Sequence, residues 1–217
     1  MRYQLAIFDL DGTILDTIVD LTNAMNLALS KHGLPELPLE TAKKYTGNGM
    51  RRYAEQAVPD GTPPDVVENV LEDFKAIYKV HCEDHTKPYD GIPELLKTLR
   101  ENGCKTAVIS NKGDFAVQIL VKQYYEGLFD FAVGEREGLV RRKPAPDEVN
   151  AVLEKLGVDR KDAVYIGDSE VDVATAVNAE MDSITVLWGF REKEYLKSQG
   201  AYRFAEKPSD VAKIVLE

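Results

Sequence analysis

The sequence predicts an α/β protein, a doubly wound parallel (Rossmann-like) sheet with a small all-helical cap-sized domain inserted near its N-terminus. Two observations carry the sheet. Short unbroken apolar runs recur along the chain and each stops at a polar cluster, the pattern of strands buried on both faces. Amphipathic helical stretches lie between them, and this alternation implies βαβ crossovers with ligands bound beyond the carboxyl ends of the strands. One long break in the alternation predicts the insertion.

Leu5-Ala6-Ile7-Phe8 reads as the first strand and stops at Asp9-Leu10-Asp11-Gly12-Thr13. From Asp16 to about His85 the periodicity is helical, with Leu21, Met25 and Ala28 on one stripe and Val67, Val70, Leu71, Phe74 and Tyr78 on another. Pro35, Pro38, Pro59, Gly61, Pro63 and Pro64 mark the turns between them. The expected division is a core domain of residues 1–15 and 86–217 and an inserted domain of residues 16–85, with a second linker from Glu83 to Asp90. The insertion is large enough for a small core that depends on its parent domain.

After the insertion, the Leu95, Leu96, Leu99 helix opens at Pro93 and closes at Gly103. Thr106-Ala107-Val108-Ile109 is a strand ending at Ser110-Asn111-Lys112, and a weaker run from Phe129 to Val133 ends at Gly134-Glu135. The Val149, Val152, Leu153, Leu156 helix stops at Gly157, and Ala163-Val164-Tyr165-Ile166 ends at Gly167-Asp168-Ser169. A last run, Ser183 to Trp188, ends at Gly189. All these polar clusters would share one edge of the sheet, whereas chance would scatter them over both.

Composition narrows the function. The 27 Lys and Arg against 37 Asp and Glu leave a formal charge of -10, the wrong sign for a protein that tracks nucleic-acid phosphates. Two cysteines, Cys82 and Cys104, are too few for a disulfide framework and too far apart for a CxxC motif, which fits a reducing cytoplasm. No stretch has the length and apolarity of a signal peptide or a membrane span, so neither a membrane nor a nucleic acid is expected as a partner.

Asp9 and Asp11 leave the same strand end with one residue between them, and two carboxylates there need a cation. Asp168 supplies a third hard oxygen ligand from another strand end, a set that suits Mg²⁺. Asp172, four residues on in the first turn of the next helix, is placed to hold a metal-bound water or a lysine. Lys143, followed by Pro144, is the cation for this site, while Thr13, Ser110 and Asn111 offer hydroxyl and amide donors. Anions, a divalent metal, one lysine and small donors together match a phosphoryl group in transfer.

Each residue also has a plainer reading. A lone Asp after a strand is commonly a helix cap or turn former, and Arg141-Arg142-Lys143, Arg51 and Arg52 taken singly are ordinary exposed charges. Four coordinated positions outweigh those readings. His81, Cys82 and His85 have helical spacing but make an incomplete zinc site. Gly47-Asn48-Gly49 lacks the third glycine and the preceding strand of a dinucleotide fingerprint, and no Walker motif is present.

Asp9-Leu10-Asp11-Gly12-Thr13, Ser110-Asn111, Lys143-Pro144 and Gly167-Asp168-Ser169-Glu170-Val171-Asp172 resemble, in order, the four motifs of the haloacid dehalogenase superfamily. The resemblance spans essentially the whole chain, and the helical insertion looks like that superfamily's helical cap, which closes over substrate and excludes water. A second Asp at position 11 places the sequence with its phosphatases and phosphomutases. The resemblance implies Asp9 as nucleophile, Asp11 as general acid then base, and Lys143, Thr13, Ser110 and Asn111 around the phosphate. It implies Mg²⁺ held by the Asp9 side chain, the Asp11 backbone carbonyl and Asp168, with Asp172 behind them.

Thr46-Gly47-Asn48-Gly49-Met50 and Leu187-Trp188-Gly189-Phe190-Arg191 look like segments of phosphoglycolate phosphatases. Asn48 and Gly49 would then contribute to substrate binding, with Arg51 or Arg52 pairing a substrate carboxylate. The expected activity is hydrolysis of 2-phosphoglycolate or a similar small phosphorylated metabolite by a monomer or homodimer. The alternatives are an inorganic pyrophosphatase, a nucleotidase, a sugar-phosphate phosphatase or phosphomutase, and a non-catalytic phosphate-binding module. One departure is Glu180, in Asn178-Ala179-Glu180-Met181, where relatives commonly carry Gly at a helix end. A local cost to stability is expected there if the position is left-handed.

Overall fold

In the computed structural model, which describes residues 1–217, the chain opens with β1 (Leu5–Phe8) and β2 (Leu15–Asp16). The insertion follows as α1 (Ile18–Lys31), α2 (Leu39–Tyr45), α3 (Gly49–Ala57) and α4 (Pro64–His81), and β3 (Lys87–Pro88) leads back. Then come α5 (Ile92–Glu101), β4 (Lys105–Gly113), α6 (Asp114–Tyr125), β5 (Phe131–Glu135) and α7 (Asp147–Leu156). The chain ends with β6 (Ala163–Gly167), α8 (Glu170–Asn178), β7 (Asp182–Val186), α9 (Lys193–Ser198), β8 (Phe204–Ala205) and α10 (Pro208–Leu216).

Six parallel strands form one sheet in the order β5-β4-β1-β6-β7-β8. From β1 the chain builds outward through β4 and β5, then crosses back to place β6 on the other side of β1. The carboxyl end of β1 is therefore the switch point, where a crevice opens between diverging connections. β1 reads as a continuous apolar run because both its faces are covered. Leu5 and Ile7 pack with Val149, Val152 and Tyr165 on one side, whereas Ala6 and Phe8 pack with Leu96, Val108 and Leu120 on the other.

The strand ends differ from the sequence pattern in one respect that matters for the site. Ser110, Asn111 and Lys112 do not follow β4 but lie within it, because pairing with β5 resumes at Gly113 and Glu135 after a register shift beyond Ile109 and Val133. Polar residues can sit at this buried strand end because the insertion covers them. The outer runs also move: β5 spans Phe131–Glu135 and β7 spans Asp182–Val186.

β2 and β3 pair antiparallel, Leu15 with Pro88 and Asp16 with Lys87, so both crossings into the insertion form one ribbon. Two-residue strands are too short to leave a periodic signature. Leu21, Met25, Ala28, Val70, Leu71, Phe74 and Tyr78 are buried as their stripes predict. They belong to one continuous cluster with Phe8, Leu96 and Val108, so the insertion shares the apolar interior of the sheet's helical layer.

Asp20 ties the insertion's two ends together. Its buried carboxylate accepts hydrogen bonds from the His85 and Thr86 backbone N–H groups (2.9 and 2.8 Å) and the Thr86 hydroxyl (2.9 Å), and contacts His85 Nδ1 (2.8 Å). Asp20→Ala would strand buried donors, and a loss of about 2–3 kcal/mol is expected in urea unfolding. A loss below about 0.5 kcal/mol would refute this role. His81 pairs instead with Asp84 and Cys82 is buried, so His81, Cys82 and His85 converge on no common point. Glu180 has φ 52°, the single non-glycine residue with positive φ, so the backbone at that helix end is strained as its position suggested.

Candidate active site

The site is assembled from three adjacent strand ends. Asp9 follows β1, and its N–H donates to the Ile166 carbonyl of β6 (2.9 Å), fixing its backbone against the neighbouring strand. Asp168 follows β6, and Asp172 lies in the first turn of α8. One carboxylate oxygen from each of Asp9, Asp168 and Asp172 lies within 4.8 Å of the others, and all three residues are buried.

Lys143 reaches this trio from the segment before α7. Its Nζ lies 2.9 Å from Asp9 Oδ1 and 2.8 Å from Asp172 Oδ1. Burial alone would push the Lys143 ammonium down, but Asp172 and Asp9 outweigh it and hold its pKa well above the usual lysine range. Burial, then the charge on Asp172, pushes Asp9 up to about 7 despite Lys143, and burial with Asp172 and Asp9 pushes Asp168 up to about 8. Three carboxylates and one ammonium in a dry pocket are short of positive charge. Hard oxygen donors in this arrangement fit a divalent cation.

Each carboxylate is oriented by a separate device. Asp168 accepts from the Thr13 hydroxyl (3.0 Å) and the Phe190 N–H (2.8 Å). Gly12 has φ 78°, and any Cβ there would collide with the Asp168 carboxylate, so glycine is required for both reasons. Trp188 Nε1 donates to the Thr13 carbonyl (2.9 Å), bracing the same loop. Asp172 forms a capping box with Ser169, whose N–H and hydroxyl donate to Asp172 Oδ2 (3.0 and 2.6 Å), leaving Oδ1 for Lys143.

Asn111 is occupied with the protein itself. It accepts from the Lys143 N–H (2.9 Å) and donates to the carbonyls of Lys143 and Gly47 (both 2.9 Å), thereby anchoring the lysine's backbone and the loop before α3. Ser110 faces a cavity beside Asp9, lined also by Asp11, Lys112 and residues of the insertion including Leu21, Thr46, Gly47, Gly49, Met50, Tyr53, Phe74 and Tyr78. Its volume is about 30 Å³, room for about two waters on the one-probe-sphere measure, so a larger ligand needs the insertion to move.

The Asp11 carboxylate is not part of the trio; it lines the cavity beside Asp9 and accepts from the Thr17 hydroxyl (2.6 Å) and Lys112 Nζ (2.8 Å). Gly49 lines the cavity with φ 83°, where a Cβ would press on Glu135; Asn48 is absent from the lining. Arg51 and Arg52 do not reach the cavity, contrary to the carboxylate-pairing role expected of them. Arg51 is paired with Glu68 (2.8 Å) and with Glu137 (2.9 Å), and Arg52 with Glu55 (3.2 Å), because their helix turns them to acidic partners on the surface.

The sequence pattern did not single out Lys112, Tyr53 or Tyr78. Lys112 read as the last polar residue of a strand-ending cluster; the available signal was its two-residue spacing from Ser110 in a continuing strand.

Residues 6–186 match the family model described as "Haloacid dehalogenase-like hydrolase". The chain belongs to the haloacid dehalogenase-like hydrolases. It is phosphoglycolate phosphatase-like among them, being 32% identical over 213 residues to the phosphoglycolate phosphatase of Aquifex aeolicus, covering 98% of this chain and 96% of that one. It is also 31% identical over 198 residues to the N-acetylmuramic acid 6-phosphate phosphatase of Pseudomonas aeruginosa, covering 89% of this chain and 86% of that one. A crystal structure of a Lactobacillus delbrueckii subsp. bulgaricus protein superposes with a TM-score of 0.94 at 41% identity, covering 100% of this chain and 99% of that chain. No helix of this hydrolase is long and apolar enough to cross a membrane.

The raised carboxylates give this hydrolase a pH signature. Asp9 and Asp168 bind protons more tightly folded than unfolded, so their contribution to stability is full below about pH 4 and is lost as pH rises through about 7 and 8. The metal-free protein is expected to melt at a lower temperature at pH 8 than at pH 5, and a divalent cation should flatten that fall. Thermal melts at both pH values with EDTA or added metal test this; an equal fall in both conditions contradicts it.

Proposed function

We propose that this hydrolase is a magnesium-dependent phosphomonoesterase acting through an aspartyl-phosphate on Asp9, with 2-phosphoglycolate or a similar small phosphorylated metabolite as substrate. Its class, a phosphatase, agrees with the relatives named above. The observation that carries the mechanism is a single one: a buried carboxylate at the switch point, in contact with a buried lysine and lining a small cavity.

Asp9 Oδ attacks phosphorus, the ester oxygen leaves with a proton from Asp11, and Asp11 then takes a proton from the water that attacks the aspartyl-phosphate. Lys143 and the Ser110 hydroxyl face the phosphoryl oxygens, Thr13 holds Asp168, and Asn111 holds Lys143 in place. Asp9, Asp168 and the Asp11 backbone carbonyl would hold Mg²⁺, and Asp172 would support them through Lys143. When bound, Mg²⁺ supplies positive charge against the phosphoryl oxygens. A protein of net charge -10 must reverse its field locally to admit a phosphate, and a divalent cation together with Lys143 would do so here.

Residues 16–85 act as a lid that moves to admit substrate and closes to exclude water. The relatives' named substrates, phosphoglycolate and N-acetylmuramic acid 6-phosphate, are both phosphomonoesters that carry a carboxylic acid. A cytoplasmic enzyme, monomeric or homodimeric, fits these features. The deciding experiment is a panel of phosphomonoesters, nucleotides and pyrophosphate with Mg²⁺ or EDTA. Metal-dependent release of phosphate from small monoesters is expected; a preference for pyrophosphate or nucleotides overturns the substrate assignment.

A further inference from the structure

We infer that Lys112 and Tyr78 recognise a carboxylate on the leaving group, so that this site selects phosphomonoesters of short hydroxy acids over neutral alcohols. The inference rests on the phosphatase reading above and names the residues and the substrate feature it leaves open.

Lys143 is held by Asp9 and Asp172 behind the cavity and does not line it, which leaves Lys112 as the cation in its wall. The Lys112 side chain is 1% exposed, and its Nζ lies 2.8 Å from Asp11 Oδ1 and 4.6 Å from the centre of the Tyr78 ring. Tyr78 belongs to α4 of the insertion and Lys112 to β4, so the two bring the insertion and the sheet together at the cavity wall.

Tyr78 is fully buried, lines the cavity, and its hydroxyl has no hydrogen-bond partner. A buried hydroxyl without a partner costs stability, which a ligand acceptor would restore. Burial, then the charge on Asp11, pushes the phenol well above its usual pKa, so it stays protonated and keeps a hydrogen to donate. An ammonium and a phenol donor beside Leu21, Met50 and Phe74 suit a small anion attached to a short carbon chain. Lys112 exchanges its contact with Asp11 for the ligand's carboxylate. A neutral leaving group leaves the Tyr78 hydroxyl unpaired, and selectivity of this kind is strong in dry sites.

The test compares kcat/KM for 2-phosphoglycolate and for ethyl phosphate, which keeps a two-carbon leaving group without the carboxylate. The wild-type protein is expected to favour phosphoglycolate by about 100-fold or more. Lys112→Met should shrink that ratio at least about tenfold, chiefly through a raised KM for phosphoglycolate, and Lys112→Arg should restore part of it. Tyr78→Phe, which keeps the ring and packing, should shrink the ratio about fivefold.

Equal turnover of both esters by the wild-type protein overturns the inference. So does loss of both activities by the same factor in Lys112→Met, which would place Lys112 in support of Asp11 alone. If Lys112→Met does not fold, an unchanged ratio in Tyr78→Phe is sufficient to reject it. Phosphate release separates the two levels. Its absence from phosphoglycolate, ethyl phosphate and the whole phosphomonoester panel defeats the phosphatase reading itself, whereas release without a preference for phosphoglycolate defeats this inference only.

Discussion

Asp9→Asn is expected to lower kcat by at least about 10⁴-fold on any phosphomonoester, because the amide lacks the nucleophilic oxygen that would form the aspartyl-phosphate. The substitution keeps the shape of the side chain and leaves Lys143 its second partner, Asp172. It also removes one of three crowded carboxylates, whose ionisation burial already opposes. The variant should therefore melt at or above the wild-type temperature at pH 8 without metal. Turnover within tenfold of wild type would sink the nucleophile assignment, and a large fall in melting temperature would mean that Asp9 is mainly structural.

Lys143→Met should fail in both respects. It leaves Asp9, Asp168 and Asp172 buried with no fixed cation, and breaking a buried ion pair from one side costs about 3–5 kcal/mol. For a chain of this size that corresponds to a fall in Tm on the order of 10 °C. Mg²⁺ should return part of the stability by neutralising the carboxylates, yet not the turnover, since the ammonium proposed to face the phosphoryl oxygens is gone. Calorimetry with and without metal, paired with phosphate release, separates the two effects. A melting temperature within about 2 °C of wild type would contradict the electrostatic role of Lys143.

The sheet was legible because burial on both faces forces an unbroken apolar run, as in β1, β6 and residues 107–109 of β4. Their ends, in turn, located Asp9, Asp168 and the Ser110 cluster, since the carboxyl edge of a parallel sheet collects polar residues. Less could be read where a position depends on tertiary cover. Lys112 is ordinary in sequence, yet it is buried beneath the insertion, with its Nζ over the Tyr78 ring of α4. Asn111 reads as a phosphate donor by type, yet its amide serves the backbones of Lys143 and Gly47, contacts that span long stretches of chain. Arg51 and Arg52 were placed by charge alone, and charge does not say which side of a helix meets Glu68, Glu137 or Glu55. Asp20 carries no motif at all; its importance lies in meeting His85 and Thr86 across the insertion.

Borohydride trapping tests the covalent mechanism most directly. Rapid quench of the protein turning over a phosphomonoester with Mg²⁺, reduction with borohydride and peptide mass spectrometry should find homoserine at position 9, because an acyl phosphate is reduced where a free carboxylate is not. The product should depend on substrate and be absent from Asp9→Asn. Sustained turnover with no reduced residue at position 9, or with the reduced residue at Asp11 or Asp168, would contradict an aspartyl-phosphate on Asp9.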